Sequence, residues 1–180
     1  KKSNIVILTH RSHYYLLTAL SVLNHGSAYV PIDDTYPDER IRFMIKDSKA
    51  RCVLVTNETI ARAKKLTDVP LINVSDIKVT GNVKPLKINA KEDDNAVILY
   101  TSGTTGVPKG TIIKRGAILN VASWYASYTK MNSRDIYSMY TVCTFDMHTL
   151  AYYPHFFVGA ALDIVPNNIR LDLYKLNNIF

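Results

Sequence analysis

The stretch Ala96-Val97-Ile98-Leu99-Tyr100-Thr101-Ser102-Gly103-Thr104-Thr105-Gly106-Val107-Pro108-Lys109-Gly110 decides how this chain of 180 residues is read. Its first five residues are continuously apolar, as expected of a strand covered on both faces. The chain then passes into a loop whose composition is that of a phosphate cradle. Gly103, Gly106 and Gly110 can adopt φ > 0 and bring backbone N–H groups close to an anion. Thr101, Ser102, Thr104 and Thr105 offer hydroxyl donors, and Lys109 adds a positive charge. A loop that directly follows a buried strand is where α/β sheets present ligand-binding residues. The spacing excludes a Walker A loop, because Pro108 precedes Lys109 and Gly110 follows it, and the glycines are wrongly spaced for a dinucleotide fingerprint.

Working outward, short strand-like runs alternate with amphipathic stretches, which predicts an α/β fold with a largely parallel sheet flanked by helices. Asn4–Leu8 reads as a strand. Ser12 is placed to cap a helix to about Asn24, with Leu16, Leu17, Leu20 and Leu23 on one face and Gly26 as its stop. Ala28–Ile32 is extended, and Pro37 opens a helix whose apolar stripe is Ile41, Met44 and Ile45. Asp33 and Arg40 are spaced for a local ion pair. Strands are expected at 51–55 and 71–74, with a helix at 58–66 between them. A polar surface connection follows over 76–94. Beyond the loop come a brief strand at 111–113, a helix at 116–130, a strand at 136–142, a helix at 146–157, a strand at 160–165 and the start of a helix at 171. Neither an opening Met nor a closing helix stop is present. The expectation is therefore one partial domain over residues 1–180, belonging to a longer protein.

Composition removes several function classes. The hydrophobic fraction of 47% and charged fraction of 21% are those of an ordinary soluble domain, with no run long enough to cross a bilayer and no signal peptide. A cytoplasmic location is expected. Cys52 and Cys143 lack Cys-x-x-Cys spacing and read as free thiols in apolar runs, and no histidine shows ligand spacing, so no metal site is expected from protein ligands. The formal charge is +7, but the 22 basic residues are scattered and form no stripe interleaved with aromatics, so neither nucleic acid nor membrane is expected as a partner. The 12 tyrosines fall mostly within apolar runs.

Tyr100 to Gly110 resembles the signature loop of the adenylate-forming superfamily, which includes acyl-CoA synthetases, luciferases and adenylation domains. Leu23 to Asp33, continued by Tyr36 to Ile41, resembles the early core motif of amino-acid-activating domains. Thr144-Phe145-Asp146-Met147-His148-Thr149-Leu150-Ala151-Tyr152 resembles the motif in which a Phe-Asp pair opens an amino-acid pocket. The sequence is thereby similar to the N-terminal part of an adenylation domain of a nonribosomal peptide synthetase.

The resemblance implies that Thr101, Ser102, Gly103, Thr104, Thr105, Gly106 and Lys109 bind the β- and γ-phosphates of ATP. It implies that Asp146 accepts the α-ammonium of an amino acid, and that Met147 and Leu150 line a pocket favouring an apolar side chain. Mg²⁺ and the phosphopantetheine of a carrier domain, in cis or in trans, complete the implied reaction. Alternatives within the resemblance are a stand-alone ligase of the kind that loads D-alanine onto a carrier protein, and a degenerate non-catalytic scaffold. His148 and Ala151 depart from the family pattern, which has Ser and an acidic residue there; His148 reads as a structural histidine. The family's later nucleotide motifs and its mobile lid with a catalytic Lys are absent, so no residue is assigned a certain catalytic role and the chain alone is expected to be inactive.

Overall fold

The computed structural model describes residues 2–78, 90–101, 107–167, 169–170 and 172–177. Strands β1 (Asn4–Leu8), β2 (Ala28–Pro31), β3 (Cys52–Val55), β4 (Leu71–Asn73), β5 (Asn95–Thr101) and β6 (Lys109–Lys114) form one sheet in the order β4-β3-β1-β2-β5-β6. Every pairing is parallel except β5 with β6, which runs antiparallel. A second, two-stranded parallel sheet joins β7 (Ile136–Ser138) to β8 (Ala161–Asp163).

The pleat sends successive side chains to opposite faces, and each face has its own helices. Ile7, Tyr29, Leu54, Val97 and Leu99 pack on one side against α1 (His13–Asn24), α4 (Arg115–Tyr128) and α5 (His148–Val158). Val6, Leu8, Val30, Val53, Val55 and Ile98 pack on the other against α2 (Asp38–Asp47) and α3 (Ile60–Leu66). Because both faces are covered, β1, β2, β3 and β5 are apolar without alternation, which is what makes the sequence pattern legible. Strand β1 leads through α1 to β2 on one side, while β3 lies on the other side of β1. The topological switch point therefore falls between β1 and β3, whose carboxyl ends open onto the same edge of the sheet.

Several boundaries differ from the sequence reading. Helix α1 begins one residue after Ser12, but the Ser12 hydroxyl bonds back to the His10 carbonyl and does not cap the helix. Gly26 ends that helix at φ +80, as its position required. The strand expected to reach residue 142 ends at Ser138, and that expected over 160–165 is three residues long. The helix expected from 171 is described only as α6 (Leu173–Leu176). Most of the 76–94 connection lies outside the described residues. The expected Asp33–Arg40 ion pair does not form. Asp33 instead accepts from the Thr35 N–H and hydroxyl, and the Arg40 guanidinium stacks 4.2 Å from the Tyr36 ring centroid. The short turn is closed more cheaply by the local Asx bonds, and the cation gains a π face.

Candidate functional site

The glycine-rich loop joins β5 to its antiparallel partner β6, with Thr101 opposite Lys109 in the ladder. It is therefore the tip of a hairpin and not the approach to a helix N-terminus. Thr101 and Lys109 are both exposed at its base. Ser102, Gly103, Thr104, Thr105 and Gly106 lie outside the described residues. Gly110 departs from the expectation of a φ > 0 cradle position. It sits within β6 facing Tyr100, where an added Cβ would lie 3.2 Å from both Ile98 Cγ2 and Tyr100 Cζ. Its lack of a side chain admits the Tyr100 ring, whose hydroxyl donates to Asp47 at 2.6 Å.

A cleft of about 490 Å³ opens beside this hairpin, lined by Leu99, Tyr100, Thr101, Thr111 and Ile113 of the hairpin, by Val142, Thr144, Phe145 and Asp146, and by Tyr36. A second hollow, of about 290 Å³, adjoins it and is lined by Ile113, Val121, Met147 and Leu150 among others. Asp146 lines both. The structure thus sets Thr101 and Asp146 around one hollow and Asp146, Met147 and Leu150 around a second that shares Ile113 and Asp146 with it, and places Lys109 at the base of the loop beside the first.

Asp146 lies outside the helix expected from residue 146. Helix α5 starts at His148 with Met147 as the flanking residue. The Asp146 main-chain carbonyl accepts from the Thr149 N–H at 3.0 Å and from its hydroxyl at 2.8 Å, and the carboxylate is left exposed. An exposed carboxylate in the lining is placed to meet a cation in the cleft.

The segment from Tyr140 to Asp146 has no regular secondary structure, yet its carbonyls are held one after another by side chains from elsewhere. Arg11, buried after β1, donates to the Tyr140 carbonyl at 2.5 Å. The Tyr152 hydroxyl donates to Thr141 at 2.5 Å, and that of Tyr15 to Cys143 at 3.4 Å. His148 Nδ1 lies 2.6 Å from the Phe145 carbonyl. The Tyr36 hydroxyl meets the Thr144 hydroxyl at 3.2 Å. Buried backbone groups must be paired, and here side chains supply what a strand would have supplied. Burial raises Tyr15 and Tyr152 well above the usual phenol range and pushes the Cys143 thiol up to about 12, so all three stay neutral donors. Burial also lowers His148 to about 4.

Sequence reasoning did not single out Arg11, Tyr15 or Tyr152 as supports of this segment. A signal existed: a tyrosine inside a run that must be buried, such as Tyr29 in Ala28–Pro31, needs a partner for its hydroxyl. Which partner it finds, here His148 and Tyr153, depends on packing between elements far apart in sequence. Among the described residues no three His, Cys, Asp or Glu side chains gather to hold a metal ion, and no helix is long and apolar enough to cross a membrane.

Helices on both faces of a mainly parallel sheet, with the exposed polar groups gathered where strands end, place the chain in the class of doubly wound α/β proteins. Within that class it belongs to the AMP-binding enzyme family, whose family model matches residues 1–179. It is 33% identical over 175 residues to bacitracin synthase 1 of Bacillus licheniformis, which covers 97% of this chain and 3% of that protein. It is 34% identical over 183 residues to surfactin synthase subunit 1 of Bacillus subtilis, covering 97% and 5% respectively. The chain thus spans only 3% to 5% of the length of these relatives. Among solved structures, the nonribosomal peptide synthetase FmoA3 with bound alpha-methyl-L-serine-AMP superposes with a TM-score of 0.81 at 19% identity, over 92% of this chain and 18% of that one. The N-terminal subdomain of Klebsiella oxytoca NpsA, in complex with 3-hydroxyanthranilyl-AMSN, superposes with a TM-score of 0.79 at 22% identity, over 99% and 44%. At these identities the structural likeness establishes the shared fold.

Proposed function

We propose that residues 1–180 are the N-terminal part of an amino-acid adenylation domain whose parent protein is a nonribosomal peptide synthetase. In the reaction of such a domain, a carboxylate oxygen attacks the α-phosphorus of ATP and pyrophosphate leaves, giving aminoacyl-AMP. A phosphopantetheine thiol on a carrier domain then takes the acyl group and AMP leaves. The observation that supports this reading best is that Asp146 lines one cleft together with the Thr101 end of the glycine-rich hairpin.

Each residue has a physical reason for its role. Asp146 is the one acid among the described residues lining the cleft, so it supplies an anion for a substrate ammonium, a charge-assisted contact in a partly desolvated site. Ile113, Val121, Met147 and Leu150 give the adjoining hollow an apolar lining suited to an apolar amino-acid side chain. Thr101 and Lys109, with the loop between them, would meet the β- and γ-phosphates, where a cation offsets charge building on the departing pyrophosphate. Mg²⁺ supplies further charge neutralisation when the nucleotide is bound. Among the described residues no three His, Cys, Asp or Glu side chains gather to hold it. His148 does not favour a non-catalytic scaffold, because it is absorbed into the core with a partner on each ring nitrogen.

The test is ATP–pyrophosphate exchange by the full parent polypeptide against a panel of amino acids. Exchange driven by an apolar amino acid and lost in Asp146→Ala is the expected outcome. A folded parent that exchanges with no amino acid refutes the proposal.

A further inference from the structure

We infer that His148 is a positioning residue for Asp146, holding the Phe145–Asp146 pair in place through a buried hydrogen-bond relay that runs from Tyr153 through Tyr29. The inference rests on the reading of Asp146 as the group that meets the substrate ammonium.

The relay is three side chains long and shut off from water. His148 is 0% exposed, Tyr29 0% and Tyr153 7%. The Tyr153 and Tyr29 hydroxyls are 2.6 Å apart, and the Tyr29 hydroxyl is 2.6 Å from His148 Nε2. His148 Nδ1 is in turn 2.6 Å from the Phe145 carbonyl oxygen.

These contacts determine where every proton sits. The Phe145 carbonyl can only accept, so Nδ1 carries the ring hydrogen. In a neutral imidazole Nε2 is then an acceptor, and the Tyr29 hydroxyl must donate to it. Tyr29 has no second hydrogen, so its oxygen accepts from Tyr153. The His148 main-chain N–H also donates to the Phe145 carbonyl, at 3.0 Å. One residue thus grips that carbonyl twice, and the peptide unit so fixed is the one leading directly into Asp146.

Tyr29 stands within β2, the strand between β1 and β5, so the relay ties an irregular segment to an interior strand of the sheet. Position 148 is a departure from the family pattern, so this anchor belongs to this chain's own solution. Orienting a substrate-contacting group through a partner bonded to its backbone is the logic by which outer supports tune a site. Displacing the Phe145–Asp146 peptide would cost amino-acid binding geometry while leaving the nucleotide side intact.

Two measurements test this. In the full 180-residue chain, nitrogen-15 NMR of histidine should find His148 as the Nδ1–H tautomer at neutral pH; an Nε2–H tautomer overturns the relay. In the full parent polypeptide, Tyr29→Phe should raise the KM for the amino acid on the order of tenfold, with the KM for ATP unchanged. Tyr153→Phe, at the outer end, should act in the same direction by less, and it carries the test if Tyr29→Phe does not fold. Should Asp146→Ala abolish exchange while both tyrosine variants keep the parental amino-acid KM, the inference alone falls. Should Asp146→Ala leave the amino-acid KM untouched, the reading of Asp146 falls and the inference falls with it.

Discussion

The burial of His148 makes stability depend on pH in a way that one substitution isolates. Burial holds its imidazole at about 4 in the fold, against an ordinary value near 6.5 in the unfolded chain. Because the folded value is the lower one, the unfolded chain takes up the proton first as pH falls. Stability from the neutral ring is therefore fully present above about pH 6.5, is lost between there and about pH 4, and declines no further below that. A shift of this size corresponds to about 3 kcal/mol in all, of which about 2 kcal/mol falls between pH 7 and pH 5. The side chain has no exposed surface, so no discount for solvent screening applies. His155, lowered in the same direction by burial, adds to the overall slope, which is why the comparison must be with a variant. Urea unfolding of the 180-residue chain at the two pH values, followed by circular dichroism, gives the slope for the parent and for His148→Gln. The variant should be less stable at pH 7 and should lose about 2 kcal/mol less than the parent on going to pH 5. Equal pH slopes in the two chains would refute the burial argument.

Gly110→Ala should destabilise the chain by about 1–3 kcal/mol in the same urea assay, because the new methyl meets a Tyr100 ring already tethered to Asp47. Lys109→Ala in the parent polypeptide should raise the KM for ATP severalfold and leave that for the amino acid unchanged, since one cation at the mouth of the loop is lost; steady-state exchange kinetics decide. Cys143, its thiol pushed up to about 12 by burial, should resist iodoacetamide at pH 8 in the folded chain and react fully in urea, as read by mass spectrometry.

The continuous apolar runs at 5–8, 28–32, 52–55 and 96–100 announced the parallel strands of the sheet, because a strand covered on both faces has no polar side to alternate. The glycine-rich loop and the Phe145–Asp146 pair were legible for a similar reason: both are short stretches whose chemistry lies in consecutive residues. Side-chain burial at Ile41, Met44 and Ile45 followed equally from local helical spacing. What the pattern within a single run could not reveal was direction and support. It is the shortness of the connection, residues 102–108, that distinguishes an antiparallel return from a parallel crossover; the run from Thr111 to Ile113 does not itself do so. Nor could spacing tell that Gly110 makes room for Tyr100, or that Asp33 would prefer Thr35 to Arg40. The carbonyls from Tyr140 to Phe145 are held by Arg11, Tyr15, Tyr152 and His148, three of them drawn from helices on one side of the sheet. Two of these pairings, Arg11 to Tyr140 and Tyr15 to Cys143, join residues more than a hundred positions apart and leave no trace in either residue's neighbours along the chain; the two local ones depend on how α5 is seated against the sheet. Local sequence determined the strands, the loop and the identity of the polar groups; only packing decided where Gly110 and Asp33 find their partners and what holds Asp146 in the cleft.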